Sequence, residues 1–189
     1  SGMRGLAADG AQPSLLVTVN PWVKGMLFSP AKLVTATIRR NETSPASRLK
    51  TLSYIDNILA AREAAAAQSD DALFLNTQGN VAATTIANIF MLRGGRLITP
   101  PESAGILPGI ARRKLLAAAG ADESEIAPAE LFDAEAVFLT NSLRLVRPVH
   151  VLDGRGLRHD DAALARYFEQ LCASVVEETD CDPRQADKL

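Results

Sequence analysis

The sequence of 189 residues predicts an α+β fold, with a mostly antiparallel sheet flanked by helices. Short apolar and β-branched runs, bounded by turn residues, recur along the chain and are typical of strands. Two of them, residues 72–76 and 81–83, are joined by the polar turn 77–80, which favours an antiparallel hairpin. The strands do not alternate regularly with helices, so the pattern of a parallel βαβ sheet is absent.

Composition and charge exclude several classes of function. The net charge of −2, with both signs mixed along the chain, leaves no basic patch of the kind that nucleic-acid binding requires. Apolar residues make up 47% of the chain, yet no uninterrupted run approaches the roughly 20 residues that cross a bilayer. No N-terminal signal pattern is visible, so we expect a cytoplasmic protein that binds neither membrane nor nucleic acid.

The chain divides into three parts on composition. Residues 1–13 begin with Ser-Gly ahead of Met3, which resembles a cloning remnant, and continue as a linker-like loop. Residues 14–178 are expected to form the folded domain. Residues 179–189 are a polar tail that we expect to fray. Cys172 and Cys181 are interpreted as free thiols, with a disulfide between them as the alternative, and no metal ion is expected.

Two strands are predicted in the N-terminal part of the folded domain. Residues 14–19 are an apolar, β-branched run that Pro21 ends, and residues 33–38 alternate well enough to form a second strand. Arg39 and Arg40 follow the second strand. They either hold the phosphate or carboxylate of a ligand or form a solvated strand end.

A helix is predicted to begin at Thr51, directly after Lys50. Its apolar residues recur at spacings of three and four, which indicates one buried face made of Leu52, Ile55, Ile58, Leu59 and Ala61 or Ala64. Lys50 then stands where a packed helix meets an extended loop, so we expect its amine to be partly shielded from water. Desolvation favours the neutral amine, which can attack an aldehyde. Alternatively, Lys50 is a surface lysine whose stem packs beside the helix start.

A glycine turn at Gly109 leads into a predicted helix over 110–119, which Gly120 ends. Such a start leaves the first backbone amides of the helix unpaired, among them those of Ile110 and Ala111, and a helix end of this kind binds phosphate. The alternative is an ordinary loop-to-helix junction. The other predicted strands are 86–92, 97–99, 136–140 and 149–152, and the other predicted helical segments are 128–134 and 162–177.

Several ordered segments resemble the class IV (fold type IV) pyridoxal-phosphate enzymes. This family includes branched-chain and D-amino-acid aminotransferases and aminodeoxychorismate lyase. The segments are 50–54 (KTLSY), 72–76 (ALFLN), 87–90 (ANIF), 97–100 (LITP), 107–112 (LPGIAR) and 138–143 (FLTNSL). The last of these resembles the lyase branch more than the branched-chain transaminases.

The resemblance implies a barrel-like sheet, a homodimer and pyridoxal 5'-phosphate as the cofactor, with an amino acid or an amino-chorismate as the small-molecule substrate. It implies that Lys50 forms a Schiff base with the cofactor and that the cofactor phosphate lies against Gly109, Ile110 and Ala111. Asn141 and Ser142 would lie beside that phosphate or the substrate carboxylate. Read without the family, these two residues form an ordinary turn.

The chain departs from the family pattern in three places. Ala83 occupies the position of a glutamate that pairs with the pyridine nitrogen, and Thr84 or Thr85 would have to offer a substitute hydrogen bond. Ala111 stands where many relatives carry threonine. The family's N-terminal domain, which supplies a phosphate-binding arginine, is expected to be missing, so the chain is either a fragment or a naturally short homologue.

Three hypotheses about function therefore remain open at the level of sequence. The first is an active aminotransferase or 4-amino-4-deoxychorismate lyase-like enzyme. The second is a degenerate or truncated homologue with little or no activity. The third is an α+β binding domain in which Lys50 is structural.

Overall fold

The computed structural model describes residues 15–188, and nine strands and four α-helices form the regular structure of that range. The strands are Ala31–Thr35 (β1), Asp71–Leu75 (β2), Val81–Thr84 (β3), Asn88–Arg93 (β4), Arg96–Thr99 (β5), Asp122–Glu123 (β6), Ala136–Asn141 (β7), Leu145–Leu152 (β8) and Arg155–Gly156 (β9). The helices are Ile55–Ala66 (α1), Ile110–Ala119 (α2), Glu130–Asp133 (α3) and Asp161–Thr179 (α4). The predicted linker 1–13 lies outside the described residues.

Six of the strands form a closed ring in the order β3-β2-β1-β8-β7-β4, because β3 also pairs with β4 where Ala83 lies opposite Asn88. Strand β1 is parallel to both β2 and β8, and the other pairings of the ring are antiparallel. The remaining strands pair outside the closed ring: β5 pairs with β4, β6 pairs with β5, and β9 pairs with β8. The predicted α+β fold with a mostly antiparallel, barrel-like sheet is therefore confirmed.

Alternation of side chains along the strands separates the inside of the barrel from the outside. One buried cluster draws apolar side chains from all six ring strands, which makes it the barrel interior; it includes Leu33, Leu73, Val81, Ile89, Val137 and Val149. Neighbours on the same strands face outward. Phe90 and Phe138 stack with ring centroids 5.2 Å apart, and they pack with Leu115 of α2 and Leu164 of α4.

Helix α1 covers another part of the barrel with its small residues. Ala60 and Ala64 are buried against Phe74 of β2. This differs from the predicted buried face, because Leu52, Ile55, Ile58 and Leu59 are all exposed and the helix begins at Ile55. Alanine allows α1 to lie close to the sheet, and the bulky side chains consequently point away from it. Ala64 is the one member of the predicted face that is buried.

Residues 15–19 do not form the predicted strand. Leu15, Leu16, Val17 and Val19 are between 74% and 93% exposed. An apolar, β-branched run becomes a strand only where a neighbouring strand accepts its backbone hydrogen bonds, and none of the described strands pairs with it.

The C-terminal half matches its prediction more closely. Helix α2 has the predicted bounds, and Gly120 ends it with a φ of 61°. The strand predicted at 149–152 is the end of the longer β8, which runs through Pro148, a residue that usually interrupts strands. The tail was expected to fray, but residues 183–188 form a 3-10 helix and Arg184 makes ion pairs with Asp182 and Glu169.

Both cysteines are free, as predicted. Cys172 is buried on α4, and this burial raises the pKa of its thiol to about 11. Within residues 15–188, no helix combines the length and the apolar character that crossing a bilayer requires.

Candidate active site

A cavity of about 470 Å³ opens where the turns that follow β3 and β7 meet the N-terminus of α2. Its wall combines the loop before α1, residues 83–88, residues 107–111 and residues 140–143. The structure thus brings most of the candidate residues of the sequence to one wall, which includes Lys50, Thr84, Thr85, Gly109, Ile110, Ala111, Asn141 and Ser142.

Lys50 lies in an exposed loop between the 3-10 helix Pro45–Arg48 and α1. The expected shielding of its amine is therefore wrong. The reason is that α1 begins at Ile55 rather than Thr51, so the residues around Lys50 are not covered by a packed helix, and Leu52 is fully exposed. Lys50 nevertheless lines the cavity together with Tyr54.

The start of α1 is bonded to the turn between β3 and β4. The amide nitrogen of Asn57 donates to the carbonyl oxygen of Thr85 at 2.6 Å, and the hydroxyl of Tyr54 donates to the same oxygen at 3.2 Å. Because Asn57 is buried, these contacts fix one edge of the cavity.

A buried carboxylate, that of Asp71, also holds the turn between β3 and β4. Asp71 accepts hydrogen bonds at one oxygen from the hydroxyl of Thr85 at 2.6 Å, from its backbone N–H at 3.2 Å and from the N–H of Ala72 at 2.8 Å. The hydroxyl of Thr84 is engaged with the backbone of Ala87. Both hydroxyls already have protein partners, so a hydrogen bond from either to a ligand would compete with these contacts.

The N-terminus of α2 has no side-chain cap among the described residues. Gly109 precedes it and lies against Asn88, whose amide donates to the carbonyl of Leu107 at 2.9 Å. A Cβ on Gly109 would stand 2.2 Å from Oδ1 of Asn88, far inside contact distance. The glycine is therefore required for the close approach of two segments, and it leaves the amides of Ile110 and Ala111 at the cavity wall.

Thr140 is a residue that the sequence argument missed. It is 1% exposed, its hydroxyl has no hydrogen-bond partner among the described residues, and it lines the cavity. A buried hydroxyl without a partner is costly unless a ligand or water satisfies it. The signal in the sequence was its place at the end of an apolar strand, directly before the polar pair at 141–142.

The polar pair itself has two different roles. The carbonyl oxygen of the Asn141 side chain accepts from the backbone N–H of Leu143 at 3.0 Å and of Arg144 at 2.8 Å, so this side chain shapes the turn between β7 and β8. Ser142 is exposed on the cavity wall.

The two arginines after β1 differ in position. Arg40 lines the cavity, where its guanidinium donates to the side-chain oxygen of Asn57 at 3.1 Å and to the carbonyl of Gly105 at 3.2 Å, while Arg39 is exposed and absent from the wall. Burial lowers the pKa of Arg40, and the nearby Tyr54 and Asp56 oppose that shift.

The charge of the cavity favours an anion. Arg40 and Lys50 are on its wall, the positive end of the α2 dipole opens into it, and none of its described lining residues is acidic. This arrangement combines an amine, uncapped backbone amides and an unpartnered hydroxyl. It is suited to a ligand that carries both a phosphate and a group that reacts with an amine.

Comparisons with known proteins point in the same direction. The sequence profile of the family described as "Amino-transferase class IV" matches residues 1–152. The chain is 36% identical over 124 residues to a probable branched-chain-amino-acid aminotransferase of Aquifex aeolicus, a match that covers 62% of this chain and 40% of that protein.

Two solved structures are similar in fold. A putative 4-amino-4-deoxychorismate lyase from Legionella pneumophila superposes with a TM-score of 0.72 at 35% identity, covering 75% of this chain and 55% of that one. A hypothetical aminotransferase from Mycobacterium tuberculosis, in its alpha-ketoglutarate and PMP bound form, gives a TM-score of 0.70 at 27% identity, covering 78% and 56% respectively. The chain spans about half the length of these proteins.

Proposed function

Because the chain belongs to the class IV aminotransferase family, which depends on pyridoxal phosphate, we propose that it binds this cofactor in the cavity and uses it on an amino-acid or amino-chorismate substrate. The observation that carries the proposal is the single cavity shared by Lys50, the N-terminus of α2 and residues 140–142. Its volume of about 470 Å³ lies within the range of about 300–1,000 Å³ that is usual for small-molecule sites.

The residues present fit the phosphate of the cofactor. The backbone amides of Ile110 and Ala111 are donors at a helix N-terminus, and the buried hydroxyl of Thr140 is a donor without a protein partner among the described residues. Ser142 adds a second hydroxyl at the same wall. Since position 111 is alanine, the helix start contributes backbone donors there and no side-chain hydroxyl.

Lys50 carries the chemistry in this proposal. Pyridoxal phosphate, when bound, supplies an aldehyde that reacts with an amine and a ring that accepts an electron pair from the substrate Cα. Lys50 would hold the cofactor through its Nζ, and the free amine would be the group that accepts the proton from the substrate Cα. Arg40 supplies positive charge on the same wall, which favours a substrate carboxylate.

The fate of that proton and of the neighbouring bond separates two reactions. Transfer of the amino group to a 2-oxo acid is the aminotransferase outcome, and loss of the group next to the substrate Cα is the lyase outcome. Both use the same lysine, so the site leaves the choice open. Relatives of both kinds support the coarser assignment.

Covalent trapping tests the proposal without requiring turnover. The protein is incubated with pyridoxal phosphate, reduced with borohydride, digested and mapped by mass spectrometry. We expect one phosphopyridoxyl group, attached to Lys50. A label on another lysine, or no label, would show that Lys50 is not the lysine that reacts with the cofactor. The hypothesis of a binding domain with a structural Lys50 would then remain.

Two product assays then separate the reactions. Pyruvate release from 4-amino-4-deoxychorismate indicates the lyase, and amino-group transfer from an amino acid to a 2-oxo acid indicates the aminotransferase. The absence of product in both, with Lys50 labelled, contradicts activity and supports a degenerate relative. The homodimer that the resemblance implies stays a prediction, which light scattering measures.

A second candidate function is a relative that binds the cofactor with little turnover, and Ala83 favours it. This residue is buried at the cavity wall and packs in the apolar cluster beneath α1. A methyl group there cannot hold a ring nitrogen protonated, which weakens the ring as an electron acceptor.

Restoring a carboxylate tests this candidate. If Ala83 limits turnover, Ala83→Glu raises the rate of amino-group transfer by about tenfold or more, which corresponds to about 1.4 kcal/mol of barrier. Ile86→Glu is the control, since it adds a carboxylate at an exposed point of the same wall. An equal effect of both variants, or a fully active wild type, contradicts the candidate.

A further inference from the structure

The chain contains two histidines, and the structure brings both of them to one carboxylate. His150 lies on β8, His159 lies in the loop between β9 and α4, and Asp161 is the first residue of α4. One oxygen of Asp161 is 3.3 Å from Nε2 of His150 and 3.7 Å from Nδ1 of His159. None of the three lines the cavity described above.

We propose that His150, His159 and Asp161 form a binding site for a divalent transition-metal ion of the Zn²⁺ type. Their three ligand atoms all lie within 4.8 Å of one another. A tetrahedral zinc ion with bonds of about 2.0–2.1 Å holds its ligand atoms about 3.3–3.4 Å apart. The separation between His150 and Asp161 therefore needs little change when an ion enters.

The chemistry of the ligands selects the class of ion. Two imidazole nitrogens with one carboxylate oxygen suit zinc, copper or nickel, whereas calcium and magnesium require a shell of oxygens. The side chains are between 27% and 50% exposed, so water completes the coordination. The site therefore has three protein ligands and open positions.

Local structure holds two of the ligands in place. Strand β8 pairs with β1, β7 and β9, and the carbonyl of His150 accepts from the backbone N–H of the buried Leu157 at 2.8 Å. This bond holds the segment after β9 against β8. Asp160 then caps α4 by accepting from the N–H of Ala163 at 2.8 Å, which fixes the position of its neighbour Asp161.

The third ligand has to move. The rings of His150 and His159 are stacked with centroids 4.1 Å apart and an angle of 23° between their planes. Because a metal ion bonds in the plane of each ring, His159 must turn out of the stack when the ion binds. Its position in a loop, half-exposed to solvent, allows this rotation.

The ion would join the start of α4 to the barrel. The expected absence of a metal rested on the two cysteines, which have no His or Cys partner at metal-ligand spacing, and the two histidines stand nine positions apart in the sequence. The turn at β9 folds the chain back and removes that separation.

A titration with ZnCl₂, followed by NMR of the imidazole nitrogens in protein freed of any histidine tag, tests the proposal. Two histidines give two sets of ring signals, and we expect both to shift together and to saturate at one ion per chain. Calorimetry under the same conditions gives the affinity. Unchanged ring signals, including the case in which zinc binds Cys181 instead, overturn the proposal.

Variants confirm which groups bind. His159→Ala and Asp161→Asn each are expected to weaken zinc binding about tenfold or more, whereas Glu177→Gln, which removes an exposed carboxylate from the other end of α4, leaves it unchanged. Zinc should raise the melting temperature of the wild type and of Glu177→Gln but not of the two ligand variants. Equal binding by Asp161→Asn and the wild type contradicts the site. His159 is exposed, so its variant is expected to fold.

Discussion

The cavity has two sides that the chain holds in different ways. One side, which we call the anchored wall, consists of residues 83–88, 107–111 and 140–142, and it is cross-linked by hydrogen bonds of buried residues such as Thr85 and Asn88. The other side is the lysine loop, residues 49–54, in which Leu49 and Leu52 are exposed.

Under the proposed function, this difference would separate binding from chemistry. Donors that grip a phosphate must be held in position before the ligand arrives, and burial with hydrogen bonds achieves this. An amine that attacks one group and then moves a proton needs access rather than burial. We therefore expect substitutions of buried residues in the anchored wall to lower the free energy of unfolding, and substitution of Lys50 in the lysine loop to lower activity alone.

Lys50→Ala is expected to have the largest effect. Under the proposed function, loss of the amine would remove covalent capture of the cofactor and the group that moves the Cα proton, so the rate should fall by about 10²–10⁴-fold or more. The free energy of unfolding should change by no more than about 0.5 kcal/mol, because Lys50 is exposed. Product assays and urea denaturation measure the two quantities.

Lys32→Ala is the matched control for that variant, because Lys32 is an exposed lysine on β1 that does not line the cavity. It should leave both activity and stability near their wild-type values. Retention of activity in Lys50→Ala would show that the reacting amine lies elsewhere.

Gly109→Ala tests the close approach in the anchored wall. The added methyl group would meet Oδ1 of Asn88 at 2.2 Å, and forcing these segments apart should cost about 1–3 kcal/mol of unfolding free energy. Cofactor affinity should fall as well, since the amides of α2 move with the glycine. Gly25→Ala is the control, because a Cβ there meets nothing within 4 Å. Equal melting temperatures for the two variants would mean that the contact between residue 109 and Asn88 adjusts with no loss of stability.

Thr85→Val removes one of the hydrogen bonds that hold the same wall. The variant keeps the volume of the side chain but removes the donor that Asp71 accepts at 2.6 Å. Leaving a buried carboxylate with fewer donors should lower the free energy of unfolding by about 1–3 kcal/mol. Thr43→Val, which removes an exposed hydroxyl bonded to Asn41, is expected to cost far less. Similar losses in chemical denaturation would show that burial does not decide the cost.

The smallest effect on stability is expected when acid protonates Glu42, which lies in the segment before the lysine loop. The hydroxyl of Thr77 donates to the carboxylate of Glu42 at 2.6 Å, and this bond chiefly lowers the pKa of Glu42 below its usual value. A carboxyl whose folded pKa is lowered stabilises the protein above its unfolded pKa, and that stabilisation is lost as the pH falls through the folded value.

We therefore expect stability to decline below about pH 4, and Glu42→Gln to show a smaller decline. Denaturation measured between neutral and acidic pH tests this. Glu102→Gln, which changes an exposed glutamate elsewhere, should follow the wild type. A decline as large in Glu42→Gln as in the wild type would assign the acid sensitivity to other groups.

Local patterns predicted those features that depend on neighbours in the chain. The bounds of α2 and the hairpin of β2 and β3 follow from turn residues and apolar runs, and the structure has both. The buried face of α1 was predicted incorrectly because apolar residues occur on several sides of this helix. Its alanines, rather than its larger apolar residues, pack against the sheet. Residues 15–19 have the composition of a strand but no partner strand among those described.

The sequence by itself determined the class of fold, the order of most elements and many of the residues that line the cavity, because these follow from local periodicity and from a resemblance along the chain. Only the tertiary structure decided how each residue is exposed and what it contacts. The meeting of His150 with His159 depends on the turn at β9. The unpartnered hydroxyl of Thr140 and the open position of Lys50 depend on segments far apart in sequence. Closure of the barrel brings such segments together, and no local pattern encodes the distances that result.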